Sequence, residues 1–383
     1  MKKLRIVFYT DSYLPSVDGV VTSILNTRKE LERRGHEVYV FTAGTKETKM
    51  LQKKDKHLVV MGGVHFRSYP QYTIAMRPEF QINIQKLRPD ILHFHTPFSM
   101  GFLAQRHQKF TDAKLVSTLH TLVFSEEVLS SYLPKNKFLR IFERLLLMRY
   151  LRWIYRKSDA IIAPSQYVKR LIKEKLHLKN FIEVIPSGIC LNKIKKVSRF
   201  EARKKLGIKN YEKILLYFGR VSPEKNLKFL IKAAKLFEKK DFRIIIAGGG
   251  PYLEKCVAMA TKLNLKNVSF PGFIPEDLIK YYYGAADVFC NPSLFETLSL
   301  VDIEAMARGL PILVPDHSAQ AEFLLHGRCG EVFDRRSKKD MVKKAIKIFE
   351  NCRRYSTYKV AEMFSVKTSV DKILHLYYSL LKA

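Results

Sequence analysis

The sequence predicts an α/β protein made of two doubly wound parallel sheets. Short β-branched apolar runs alternate with helical apolar periodicity along most of the chain. That alternation restarts after a basic stretch near the middle. The 383 residues, 47% hydrophobic and 27% charged, suffice for two cores. No run of about 18 apolar residues reads as a membrane-spanning helix.

Arg5–Tyr9 reads as the first strand. A loop through Pro15 and Gly19 leads into a helix to about Arg34, which Gly35 is placed to end. Strands follow at Glu37–Phe41, Ile91–Phe94, Leu115–Thr118 and Ala160–Ala163, and Val184-Ile185 closes the first half. The basic run Asn192–Arg199 has no strand pattern and reads as an interdomain linker. Ile214–Phe218 opens the second series, followed by a helix over Leu227–Phe237. Further strands are expected at Arg243–Ala247, Val268–Phe270, Val288–Asn291 and Ile312–Val314. Helical patterns run from about Lys338, the last near Val370–Leu381. The expected domains are 1–190 and 191–365, with a C-terminal helix, 366–383, packing back on the first. Two such domains facing each other form a cleft at their strand C-termini.

Charge narrows the partners. Lys and Arg total 68 against 36 Asp and Glu, a formal net charge of +32. Residues 1–190 hold 32 basic and 16 acidic side chains, the rest 36 and 20, so each half carries +16. Such an excess implies anionic partners: nucleic acid, phosphorylated substrates or acidic lipid. A generally lysine-rich composition explains part of it. No nucleic-acid reader motif accompanies the charge, so no nucleic-acid partner is expected. The five cysteines form no C-x-x-C pair, which argues against zinc and disulfides and fits a reducing compartment. Asp11 interrupts the apolar opening run, so it does not read as a secretory leader.

Four segments carry candidate chemistry. In Asp11–Thr22, Gly19 lets backbone approach a ligand where a helix start offers N–H groups to an anion. An ordinary strand–helix turn is the alternative there. In Phe218–Asn226, Arg220 and Lys225 sit at the mouth of a parallel sheet, where a planar fork and a point charge suit a diphosphate. Solvated surface charge is the commoner fate of such residues. Gly248-Gly249-Gly250 after a strand permits close approach of a nucleotide or a helix, or forms a plain turn. In Asn291–Pro311, Ser299 and Asp302 have the spacing of a capping box, and Gly309 and Pro311 stop the helix. Glu296 then lies in the loop before the helix and Glu304 within it. Such carboxylates can orient sugar and ribose hydroxyls, and backbone N–H groups near Leu298, Ser299 and Leu300 can receive a phosphate. Glu304 and Arg308, four apart, also suit a plain helix pair.

Together, F-G-R-x-x-x-E-K-N, A-G-G-G-P, two Glu in an E-x7-E spacing and the D-G-V loop resemble the retaining GT-B glycosyltransferases of family 4. F-Y-T-D-S-Y-L-P, H-F-H-T-P-F-S-M-G and V-S-T-L-H-T look like the glucosyltransferases of diacylglycerol and their mannosyl relatives. Glu296-Thr297-Leu298-Ser299-Leu300 departs from the glycine many members carry before the last apolar residue. The resemblance implies the GT-B fold of two Rossmann-like domains. It also implies a nucleotide-sugar donor, UDP-glucose above all, and no required metal or other cofactor. Arg220 and Lys225 would contact the diphosphate, Glu304 the ribose and Glu296 the sugar. Gly19 and Gly249 would line the donor site, and His120 would lie near the reacting sugar. Retention would proceed by front-face attack, without a carboxylate nucleophile.

The acceptor side is read from 135–157, with eight basic residues and one acid. At about 100° per residue, Leu139, Phe142, Leu146, Leu147, Tyr150, Trp153 and Ile154 share a side. That stripe is expected to pack inward. Arg140, Arg144, Arg149, Arg152 and Arg156, with Trp153, would meet an anionic membrane and its lipid acceptor. The chain would then work in the cytoplasm, at the inner face of the cell membrane. A soluble or glycan acceptor, and an epimerase on the same fold, are the alternatives.

Overall fold

The structure is a computed structural model that describes all residues except 1, 17, 67–68, 77–83, 122–136, 210–211 and 383. The side chains of 66, 69–71 and 137–140 are likewise outside the description. The chain divides into two units, Met1–Gly188 with Val366–Ala383, and Ile189–Ser365.

The first unit holds strands β1 Arg5–Thr10, β2 Glu37–Gly44, β3 Leu58–Phe66, β4 Tyr69–Ala75, β5 Ile91–Phe94, β6 Lys114–Thr118, β7 Ala160–Ala163 and β8 Phe181–Val184. They form one sheet in the order β4-β3-β2-β1-β5-β6-β7-β8. Among the described residues only β3 and β4 pair antiparallel. The unbroken apolar run of β1 reflects burial on both faces. Val7 and Tyr9 pack with Phe41, Leu92 and Phe94 on one side. Ile6 and Phe8 pack with Val38, Val40 and Ile91 on the other. The helix Val366–Lys382 closes that second face with Val370, Ile373, Leu374 and Tyr377. Strand order reverses between β1 and β5, a topological switch point of the kind at which open α/β sheets bind ligands.

The second unit holds β9 Lys213–Phe218, β10 Phe242–Ala247, β11 Val268–Gly272, β12 Val288–Cys290, β13 Ile312–Pro315 and β14 Gly330–Phe333. All are parallel, ordered β11-β10-β9-β12-β13-β14. Here the order reverses between β9 and β12. The segments bearing Arg220, Lys225 and Glu296 leave the sheet at those two strand ends.

Three strands lie outside the sequence expectation. β3 and β4 carry Gly62-Gly63 and Pro70, residues that weaken a strand pattern and belong at sheet edges. β14 is short and opens on Gly330. The basic run at 192–199 is not a linker. It forms a 3-10 turn over Leu191–Lys193, and Ser198 then caps the helix Arg199–Leu206. Ile194 and Val197 pack on the core of the second unit. Arg199 and Arg203 both reach the buried Asp287, at 2.7 and 2.9 Å.

Candidate active site

At the β9/β12 switch point the two strand-end loops are sewn together. The main-chain oxygen of Glu224 accepts from Leu294 N and Ser293 Oγ, both at 3.3 Å. Asn226 Nδ2 donates to the Pro292 carbonyl at 3.3 Å. This stitching sets Lys225 Nζ 2.6 Å from Glu296 Oε1, with the side chains 22% and 12% exposed. Burial works against the charge of Lys225, but the carboxylates of Glu296 and Glu224 more than offset it and hold the ammonium above the ordinary lysine range. Arg220 lies on the same loop and is exposed.

The glycine loop after β10 packs directly on this one: Val221 N donates to Gly249 O at 2.9 Å, and Tyr252 N to Val221 O at 3.1 Å. A Cβ on Gly248, at φ +131°, would lie 1.9 Å from the Gly219 oxygen. On Gly250, at φ +153°, it would lie 2.3 Å from the Val221 oxygen. On Gly249 it would meet nothing closer than Phe273 Cβ at 3.9 Å. The outer glycines therefore serve loop-on-loop packing, and Gly249 alone turns backbone toward open space. Gly248→Ala is expected to cost roughly 1–3 kcal/mol in unfolding experiments, and Gly249→Ala under about 0.5 kcal/mol. Equal losses would reject this division. Phe273, 81% exposed beside Gly249, presents a bare ring face that the sequence reading did not single out.

The helix Leu300–Ala307 starts at Ser299, but the expected capping box does not form. The Ser299 hydroxyl instead accepts from Asn291 Nδ2 at 3.0 Å. Asp302 turns into the interior to meet Gln320 and Asn291, because a buried carboxylate takes whatever donors surround it. Glu304 is paired with Arg308 at 3.4 Å, and burial raises its carboxyl group despite that arginine. Arg308 in turn lies 4.4 Å over the ring of buried Tyr283. Leu298 and Leu300 are half-buried on the core of this unit.

In the first unit, Gly19 opens the helix Gly19–Arg33, capped by Asp18, whose Oδ1 accepts from Val21 N at 2.8 Å. A Cβ on Gly19 would meet nothing within 4 Å. On the loop that leads to this helix, buried Asp11 accepts from the hydroxyls of Thr96 and Ser99 and from Met100 N. Burial lifts its pKa to about 6 against those bonds. His120 follows β6, and its Nε2 lies 3.0 Å from His95 Nδ1. His95 stacks on His93 at 4.2 Å between ring centroids. His93 meets the hydroxyls of Tyr377 at 2.6 Å and Thr118 at 2.7 Å. Burial pushes His120 down to about 4 and His93 to about 3, so both stay neutral around pH 7. His93 lies in β5 and His95 one residue past its end, two apart, so the extended backbone brings both rings to one side, a period-2 signal that was available in H-F-H.

The helix Lys137–Arg156 corrects the inward stripe. Leu151, Ile154 and Tyr155 are buried, with Leu147, Met148 and Tyr150 packed against the same core. But Phe142 and Leu146 point outward with Ile141 and Leu145, between 51% and 60% exposed. Arg149 and Arg156 are exposed and Arg144 is half-buried. Arg152 faces the protein instead of lipid, its Nε donating to the Leu176 carbonyl at 2.9 Å. Trp153 is 37% exposed, stacked near Phe102 and under Lys157. Lys135 lies outside the described residues, as does the side chain of Arg140.

Comparison with known proteins places this geometry. Residues 17–193 match the model of "Glycosyltransferase Family 4", and residues 198–361 that of "Glycosyl transferases group 1". An alpha-monoglucosyldiacylglycerol synthase of Streptococcus pneumoniae is 33% identical over 81% of this chain and 70% of its own. One from Acholeplasma laidlawii is 31% identical over 91% and 89%. Among solved structures, sucrose-phosphate synthase of Thermosynechococcus elongatus superimposes with a TM-score of 0.76 at 19% identity, covering 99% of this chain and 100% of that one. Anabaena HepE in complex with UDP and glucose gives 0.74 at 20%, covering 98% and 100%.

Proposed function

We propose that this chain, which belongs to the glycosyltransferases of group 1 and family 4 and has their GT-B fold, moves glucose from UDP-glucose to a membrane lipid acceptor such as diacylglycerol, with retention at the anomeric carbon. The observation that carries the acceptor is the pair of relatives above 30% identity, both named as monoglucosyldiacylglycerol synthases. The donor is supported by the switch-point cluster. Arg220 and Lys225 supply positive charge to a diphosphate, and Glu296 and Glu304 supply acceptors for sugar and ribose hydroxyls. Gly249 and the ring of Phe273 offer an open floor and an apolar face for the base. Gly19 leaves room at a helix start in the first unit, and His120 supplies a neutral imidazole. With two cations facing the leaving diphosphate, the transfer is expected to need no metal.

Among the described residues no helix is long and apolar enough to cross a membrane. One feature supports a place at the inner membrane face. The outward turn of Ile141, Phe142, Leu145 and Leu146 adds an apolar edge to the arginines. Embedding a half-exposed Leu or Phe contributes about 1 kcal/mol or more, comparable with about 1 kcal/mol per arginine near anionic lipid. Binding should therefore have two parts. High salt should weaken sedimentation with anionic vesicles without abolishing it, because screening acts only on charge. Phe142→Ser with Leu146→Ser should remove the salt-resistant part, and Arg149→Gln with Arg156→Gln the salt-sensitive part. The direct test of function is mass spectrometry of lipid extract incubated with nucleotide-sugars. A glucosylated neutral lipid formed only from UDP-glucose supports the proposal. Indifference to vesicles, with transfer to a soluble sugar, would overturn the lipid acceptor.

A further inference from the structure

Beneath the donor-side helix lies a closed polar cluster that the proposed chemistry does not use. Asn291 follows β12, Ser299 and Asp302 begin the helix Leu300–Ala307, and Gln320 comes from the 3-10 turn Ala319–His326. All four are at most 2% exposed. Gln320 Nε2 donates to Asp302 Oδ2 at 2.9 Å and to the Asn291 carbonyl at 3.3 Å. Asn291 Nδ2 donates to the same Oδ2 at 3.4 Å. Two acceptors are left over: Asp302 Oδ1 and Gln320 Oε1, both buried and without a partner. They belong to the two groups already joined through Oδ2 and Nε2. An ionised carboxylate has no donor to give the leftover amide oxygen. A proton on Oδ1 supplies that donor and makes a two-bond acid–amide pair.

We propose that Asp302 is a positioning residue held as the neutral carboxylic acid against Gln320, keeping negative charge out of the helix turn where the donor diphosphate seats. The second half of that statement rests on the donor-site reading above; the first does not. Both groups bonded to Asp302 are neutral amides, and the Ser299 hydroxyl in the same cluster is neutral as well. Burial raises its pKa to about 7, with the charge of Glu296 adding to that. The other titratable groups coupled to it are Lys225, Tyr217, Tyr283, Cys290 and Cys329. Lys225 alone carries an opposing charge, and it is spent on Glu296 at 2.6 Å. The helix N-terminus favours the ion by a factor of a few tens at most, whereas full burial can shift a carboxyl by roughly three to five pKa units.

The sign follows from linkage. The folded state holds this proton and the unfolded chain does not, so stability falls as pH rises from about 4 through about 7. Asn at position 302 keeps both bonds of the pair without a titrating group. Infrared difference spectra of wild type against Asp302→Asn, near pH 6, should show a protonated-carboxyl band lost in the variant; Asp11 cancels in the difference. Melting temperature should fall less with pH in the variant. Calorimetric binding of UDP should weaken in wild type by roughly five- to tenfold more than in Asp302→Asn between about pH 6 and about pH 8.5. The ionisation of UDP itself is common to both. No band difference, or parallel melting profiles, would overturn the acid–amide pair. A band with UDP bound by neither protein would leave the pair standing and reject the donor site. Should Asp302→Asn fail to fold, Gln320→Met reads the same pair, because losing the amide moves the carboxyl band; an unmoved band overturns the proposal.

Discussion

Lys225→Ala is expected to lower kcat by about 10²–10³-fold, with no rescue by magnesium or manganese. Charge grows on the leaving diphosphate as the sugar departs, and a fixed cation acts most strongly where charge develops, so the loss should fall on turnover more than on KM. In the structure that cation is paired with Glu296 at 2.6 Å. The pair holds each side chain in place: diphosphate oxygens can take over Lys225, and sugar hydroxyls can donate to the freed carboxylate. Removing one partner therefore strands the other, and the two variants should not be additive. Lys225→Ala combined with Glu296→Gln should be little worse than the poorer single variant. Arg220→Ala, on the exposed part of the same loop, should behave more independently. Glu304→Gln should weaken nucleotide binding first, because a charged hydrogen bond is worth roughly 1.5–3 kcal/mol. The measurement is steady-state transfer from UDP-glucose to lipid in mixed micelles, with and without chelator. A strict metal requirement that chelator abolishes would reject the two-cation account, and so would a kcat unchanged in Lys225→Ala.

Most of the sheet framework was legible because parallel strands buried on both faces leave continuous apolar runs. Ile91–Phe94 and Ala160–Ala163 appear at their expected limits. The exceptions obey the same physics in reverse. Strands β3 and β4 pair at the sheet edge, where Gly and Pro are tolerated and the apolar signature fades. The basic run at 192–199 misleads because charge density resembles a linker. Its Ile194 and Val197 nevertheless pack, half-buried, against the core, and its Arg199 reaches an aspartate 88 residues away. The placement of the candidate residues was legible where a motif states a local geometry, as with Lys225 and Glu296 on two strand-end loops. It was illegible where partners are set by tertiary contact. Ser299 and Asp302 have the spacing of a capping box, yet Gln320 and Asn291 claim Asp302 from the interior. Likewise, 100° periodicity tells which residues of the helix Lys137–Arg156 share a face. It cannot tell that, among the described side chains, the core takes those from Leu147 onward and leaves Ile141, Phe142, Leu145 and Leu146 exposed.

His120→Ala is expected to lower kcat by about 10²-fold while changing donor affinity little, and the way it acts is set by its surroundings. An ordinary histidine titrates near 6.5 and could serve as an acid at neutral pH. Burial holds His120 near 4, and Nε2 is engaged by His95 at 3.0 Å. It therefore offers a neutral ring of fixed orientation, and turnover at saturating donor should show no inflection between about pH 5.5 and about pH 8 from this residue. The same burial has a cost at low pH. A histidine depressed in the folded state stabilises fully above its unfolded value, and that contribution is lost as pH falls through the folded one. Burial depresses His93, His95 and His120 alike, and in the stack a charge on one ring lowers its neighbours further, so each proton that enters hinders the next. The first unit should lose stability steeply as pH drops from about 6.5 to about 4, and His120→Asn should make that decline shallower by the share of one proton. Melting profiles against pH for wild type and His120→Asn, beside kcat profiles for wild type and His120→Ala, separate the two roles. A kcat inflection near 6.5 that disappears in His120→Ala would show a titrating histidine and reject the neutral ring. Identical melting profiles would mean that the stack is open to water, and that His95 does not hold His120 in the orientation described.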